Sequence, residues 1–68
     1  MNLEEYRLDC GWSQNEMARM AHLDPSTVGK ALKGETIAIG SADKLVTAIS
    51  KKLGRTIRIR DVEGLSIK

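Results

Sequence analysis

SQNEMARMAHLDPSTVGKALKG, residues Ser13 to Gly34, decides how this chain folds. Two short helical patterns run through it, from Gln14 to about His22 and from Pro25 to about Lys33, joined by a very short link. A link that short cannot lay two helices side by side as a hairpin, so they must cross steeply, with the second propped outward. Each helix carries its own start signal. Ser13 can cap the first while Glu16, three residues on, reaches back to the Ser13 amide, which makes a capping box. Asp24 can accept from the free amides of the next turn, and Pro25 suits a first helical position because its missing N–H would have no partner there. Met17, Ala18 and Ala21 share one face of the first helix, and Val28, Ala31 and Leu32 one face of the second. These faces meet. The alanines permit a close crossing, and Leu23 in the turn fills the angle between the helices.

Upstream, Asn2 can cap a short helix that reaches Cys10 and stops at Gly11. Glu4 and Glu5 lie at its positive end, and Leu3, Tyr6, Arg7 and Cys10 lie along one side. Cys10 therefore reads as a small core residue. Trp12, just before the Ser13 cap, forms a hydrophobic staple with Met17, and its ring edge can also reach outward. Downstream, ETIAIGS reads as an extended loop in which Ile37, Ile39 or both close the bottom of the core. Ser41 then caps a further amphipathic helix, Ala42 to Leu53, with Leu45, Val46 and Ile49 inward, Lys51 and Lys52 late, and Gly54 as the stop. The tail, residues 55–68, alternates polar and apolar from Thr56 to Arg60. It is either a short strand followed by one helical turn around Arg60 to Leu65, or a hairpin with a return strand Leu65 to Lys68. The expected fold is mainly all-α, a small domain of four to five helices with a strand-like tail, occupying residues 1–68 as one unit.

Sixty-eight residues bury a marginal core, which leaves little room for an enzyme pocket. One His and one Cys give no triad, no metal-ligand cluster and no phosphate loop, so neither enzymatic activity, a small-molecule substrate, a metal nor a cofactor is expected. The net charge of +2 is compatible with a polyanionic partner without requiring one. The single Cys10 excludes an internal disulfide and suits a reducing compartment. No apolar run approaches a membrane span, so a cytoplasmic location is expected.

RLDCGWSQNEMARMAHLDPSTVGKALKG, residues 7–34, resembles the Xre, Cro and phage-repressor family of helix-turn-helix proteins, also known as lambda repressor-like. The resemblance rests on an Arg, a Gly a few residues later, then an apolar residue, Ser, Gln, two polar residues with Glu second, an apolar residue and Ala. A turn, Ser-Thr-Val and a closing Gly follow. It implies a DNA-binding regulator whose second motif helix enters the major groove. By that resemblance Ser26, Thr27 and Lys30 would contact bases or backbone, Gln14 a phosphate, and Lys33 with Gly34 the phosphate that meets the loop amides.

Three positions depart from the family pattern. His22 stands where a turn glycine is usual, which strains a positive backbone angle. Leu32 stands where a Glu often pairs with the first-helix Arg, so Arg7 needs Glu16 or a phosphate instead. Gly29 interrupts the second helix at a local cost of about 1 kcal/mol against Ala, either because a nucleic-acid backbone approaches closely or as a tolerated surface glycine.

From these placements the amide ends near Ser13 and Asp24 would face phosphates on either side of the groove and set the register. The hydroxyls of Ser26 and Thr27 can serve donor or acceptor edges, and Lys30 suits guanine acceptors. So few base contacts imply two copies. Ile57, Ile59, Leu65 and Ile67 of the tail are the expected dimerisation residues, giving a homodimer on double-stranded DNA. The alternative is an antitoxin or a recombination directionality factor, acting partly through protein-protein contacts.

Overall fold

A computed structural model describes all of residues 1–68. Four α-helices follow in order, α1 Leu3–Cys10, α2 Gln14–Ala21, α3 Pro25–Leu32 and α4 Ile39–Leu53, and then a single 3-10 turn at Ile59–Asp61. The all-α reading holds.

Local chemistry sets the first three helices where the sequence places them. The Asn2 side chain accepts from the Glu5 amide at 2.9 Å and Glu5 returns the bond to the Asn2 amide at 2.8 Å, a capping box that opens α1. Gly11 closes it in the left-handed conformation, φ 73°. The Ser13 and Glu16 capping box opens α2, with bonds of 3.0 and 3.1 Å. Asp24 opens α3, accepting from the Ser26 amide at 2.9 Å. Between them His22 takes φ 57°, the one residue other than glycine with a positive φ. Its own amide bonds Arg19, while the Leu23 amide reaches the Ala18 carbonyl at 2.8 Å and closes the last turn of α2.

Packing follows the apolar faces. α2 lies against α3 and α4, and α1 against α4 and α3. Met17, Val28, Leu45 and Ile49 are fully enclosed at the centre, and the alanines at 18, 21 and 31 let the motif helices close on one another. Trp12 and Met17 are both buried in this core, as the staple requires, and Cys10 joins them. Burial pushes the Cys10 thiol above its ordinary pKa.

Three expectations fail. α4 begins at Ile39 rather than Ala42, and its N-cap is Ala38 with no side-chain bond, so Ser41 lies inside the helix instead of capping it. Of the two isoleucines expected to close the bottom of the core, Ile37 does so, 4% exposed, while the earlier helix start turns Ile39 out to 64% exposure. Arg7 finds neither Glu16 nor an open position: its guanidinium bonds Glu4 one turn back, the Nε–Oε1 distance being 2.8 Å, and donates to the Trp12 carbonyl. Glu16 is held by Ser13.

The tail is the third correction. Thr56 to Arg60 pairs with nothing as a strand, the helical turn comes earlier than expected, and Leu65 to Lys68 does not return along it as a hairpin. The last residues instead run parallel to the loop before α4. The Ile37 amide donates to Ser66 at 2.9 Å and the Lys68 amide to Ile37 at 3.1 Å. Ser50 holds the start of the tail, its hydroxyl bonding the Val46 carbonyl and accepting the Ile57 amide at 2.8 Å. Ile57 is consequently a core residue of its own subunit.

Candidate nucleic-acid interface

On α3, Ser26, Lys30 and Lys33 are exposed, and Thr27 is half-buried. Val28 and Ala31, on the opposite side, are buried against α2, so packing of one face fixes which side chains project. None of Ser26, Thr27 and Lys30 is enclosed by the subunit's own atoms.

The hydrogen bonds refine what each can offer. The Ser26 hydroxyl donates to Asp24 Oδ1 at 2.9 Å, leaving its lone pairs outward. That carboxylate also takes the Ser26 amide, and the amide bond, followed by the hydroxyl, holds Asp24 below the usual carboxylate pKa. Pro25 has no N–H, and the Thr27 amide bonds the Asp24 carbonyl at 3.0 Å. The first turn of α3 therefore has no open amide, contrary to the expectation that both helix starts face phosphates. The start of α2 does better: Ser13 and Glu16 satisfy one another, while the Gln14 and Asn15 amides have no acceptor in the chain. The Ser13 amide and then its hydroxyl keep the Glu16 carboxyl below its usual range, so it remains charged there.

Gln14 bridges the two helices. Its Nε2 donates to the Pro25 carbonyl at 3.2 Å and rests over Gly29, where a Cβ would lie 2.9 Å from that nitrogen. Gly29 is thus a notch for Gln14, a role that neither sequence reading of this glycine contained. One amide hydrogen of Gln14 is used by Pro25 and the other points to no acceptor. Past α3, the amides of Lys33, Gly34 and Glu35 all bond α3 carbonyls, so the Lys33 ammonium, and not the loop amides, is what this corner can offer an anion. Gly34 adopts φ 81°, which suits glycine and turns the chain toward α4.

Among the tail residues, Ile57 is buried and Ile59, Leu65 and Ile67 are half-buried against the core. Ile39, a candidate core residue when its segment is taken as an extended loop, stands exposed beside Ile59 and Ile67, with Asp43, Arg58 and Arg60 around them. The earlier helix start could have been read from Ile39, Ala42, Leu45, Val46 and Ile49, which follow helical spacing.

The family model described as helix-turn-helix matches residues 3–59, a span that contains all four helices. No curated protein and no solved structure matches the chain. With two capped helices crossing at a tight turn and the second presenting its polar face outward, the chain belongs to the Xre, Cro and lambda repressor-like helix-turn-helix family of DNA-binding proteins.

Proposed function

We propose that the protein is a sequence-specific transcriptional regulator of the Cro or repressor kind, with α3 in the major groove of double-stranded DNA. The outward projection of Ser26 and Lys30 from a helix locked against α2 carries this reading. Gln14, through its second amide hydrogen, and the open amides of Gln14 and Asn15 grip one backbone strand, with the Ser13 hydroxyl beside them. The Lys33 ammonium grips backbone at the other end of α3, and Gly34 sets its position. Ser26, its proton engaged by Asp24, accepts from a base amino group; Thr27 meets a thymine methyl, and Lys30 the guanine acceptors.

Few base contacts per subunit call for two copies. The pairing surface is the rim of the tail, where Ile59 and Ile67 adjoin exposed Ile39, while Leu65 packs behind them and Ile57 supports them from the core. A twofold axis through Ile39 would bring Asp43 of each copy toward Arg58 and Arg60 of the other, so the patch is complementary to itself.

Affinity for a selected duplex and for a scrambled one tests the assignment. Lys30→Ala should lose about 1–3 kcal/mol on the selected site alone, and Lys33→Ala should weaken both alike. Equal losses on both duplexes for Lys30→Ala would refute it. Duplex affinity that barely responds to salt would point instead to the antitoxin or directionality-factor reading, in which the same rim seats another protein.

A further inference from the structure

Two surfaces away from α3 have opposite character. Between α2 and α4 lies a groove lined by Arg19, Met20, His22, Ala48, Lys51 and Lys52. Met20 is 50% exposed there, and the chain's two ion pairs, Met1 with Glu63 and Arg7 with Glu4, leave Arg19, Lys51 and Lys52 unpaired. The outer face of α1 is the inverse: Leu8 is 61% exposed, with Glu5 and Asp9 exposed beside it. One surface is an apolar floor with a cationic rim; the other is an apolar knob with an anionic rim.

We propose that a second copy of this chain docks here, the Leu8 knob of each α1 entering the α2–α4 groove of the other. α1 packs on α4, and Asp9 and Lys52 stand in the last turns of those two helices, so the two surfaces adjoin. Surfaces that adjoin on one molecule and complement each other can meet reciprocally across a twofold axis, Leu8 against Met20 and Ala48, Glu5 and Asp9 against Arg19, Lys51 and Lys52. A DNA backbone would match the cations but not the exposed Met20 between them. This pairing needs no DNA and does not use the Ile39 rim, so it goes beyond the proposed function and joins regulator units to one another. A contact made by one short helix belongs to the weak class of interfaces, below about 1,200 Å² in total, and its effect is felt where copies are already concentrated.

Sedimentation at low salt, at chain concentrations up to about 1 mM, tests the pairing in an Ile39→Lys background that silences the tail rim. The parent chain should associate. K51E/K52E alone and E5Q/D9K alone should stay monomeric, Gln at position 5 being able to complete the capping box. An equimolar mixture of these two should associate again, because each altered surface then meets its complement. Adding Leu8→Ser to the second partner should abolish that rescue, and R58E/R60E alone, which leaves both surfaces intact, should associate like the parent. A parent chain that stays monomeric overturns the proposal, as does a mixture that sediments like its separate components or a rescue indifferent to Leu8. K51E/K52E that weakens duplex binding as much as Lys33→Ala while leaving association intact would assign the groove to phosphate, and overturn it equally.

Discussion

Gly29→Ala separates what a helix alone would want from what this crossing requires. In the interior of an isolated helix the exchange gains about 1 kcal/mol, since glycine loses more backbone freedom on folding. Here the new Cβ would stand 2.9 Å from Gln14 Nε2, closer than such contacts are found. The obstruction is the end of a flexible side chain, so Gln14 swings away and its bond to the Pro25 carbonyl is lost. That bond is exposed and contributes about 0.5–1.5 kcal/mol. The two effects are of similar size, and Gly29→Ala should change stability by less than about 0.5 kcal/mol. With Gln14→Ala already in place nothing obstructs the Cβ, and the same exchange should stabilise by about 1 kcal/mol, a Tm rise of roughly 4–8 °C for a domain of this size. Urea unfolding of the four chains of this cycle measures the coupling. Gly29→Ala should also weaken all duplexes alike, because Gln14 then leaves its position at the backbone. Equal stability changes in both backgrounds would refute the notch.

Other outcomes follow from single contacts. Ser50→Ala strands the half-buried amide of Ile57 and should cost about 1–3 kcal/mol, with amide exchange accelerating first in residues 57–68, as proton-resolved exchange would show. At position 22, which holds φ 57°, Val should cost on the order of 1 kcal/mol in thermal unfolding, while Gly should be close to neutral because relief of strain is offset by a freer unfolded chain. Glu16 and Asp24 have depressed pKa values, so the stability they contribute is complete above the ordinary carboxylate range and is lost as pH falls through their folded values. Tm should thus hold down to about pH 5 and drop below about pH 4. E16Q/D24N, which keeps both cap acceptors, should flatten that drop.

Where the sequence was decisive, the information was local. Asn2, Ser13 and Asp24 are caps because their side chains bond amides two or three residues away, and Gly11 and Gly54 stop helices through their own backbone freedom. The spacing of Met17, Ala18, Ala21, Val28 and Ala31 then decided which faces meet, and so that α3 turns Ser26 and Lys30 outward. None of this needs distant partners. What the fold alone decided depends on residues far apart in the chain. Ile37, rather than Ile39, closes the core, its backbone bridged to Ile67 in the tail. The tail is no strand because Ser50 captures Ile57, and Gly29 has its purpose only once Gln14 lies across it. Such contacts are set by packing geometry, to which alternation along the chain is blind: Thr56 to Arg60 looks like a half-buried strand whether or not another strand exists to receive it.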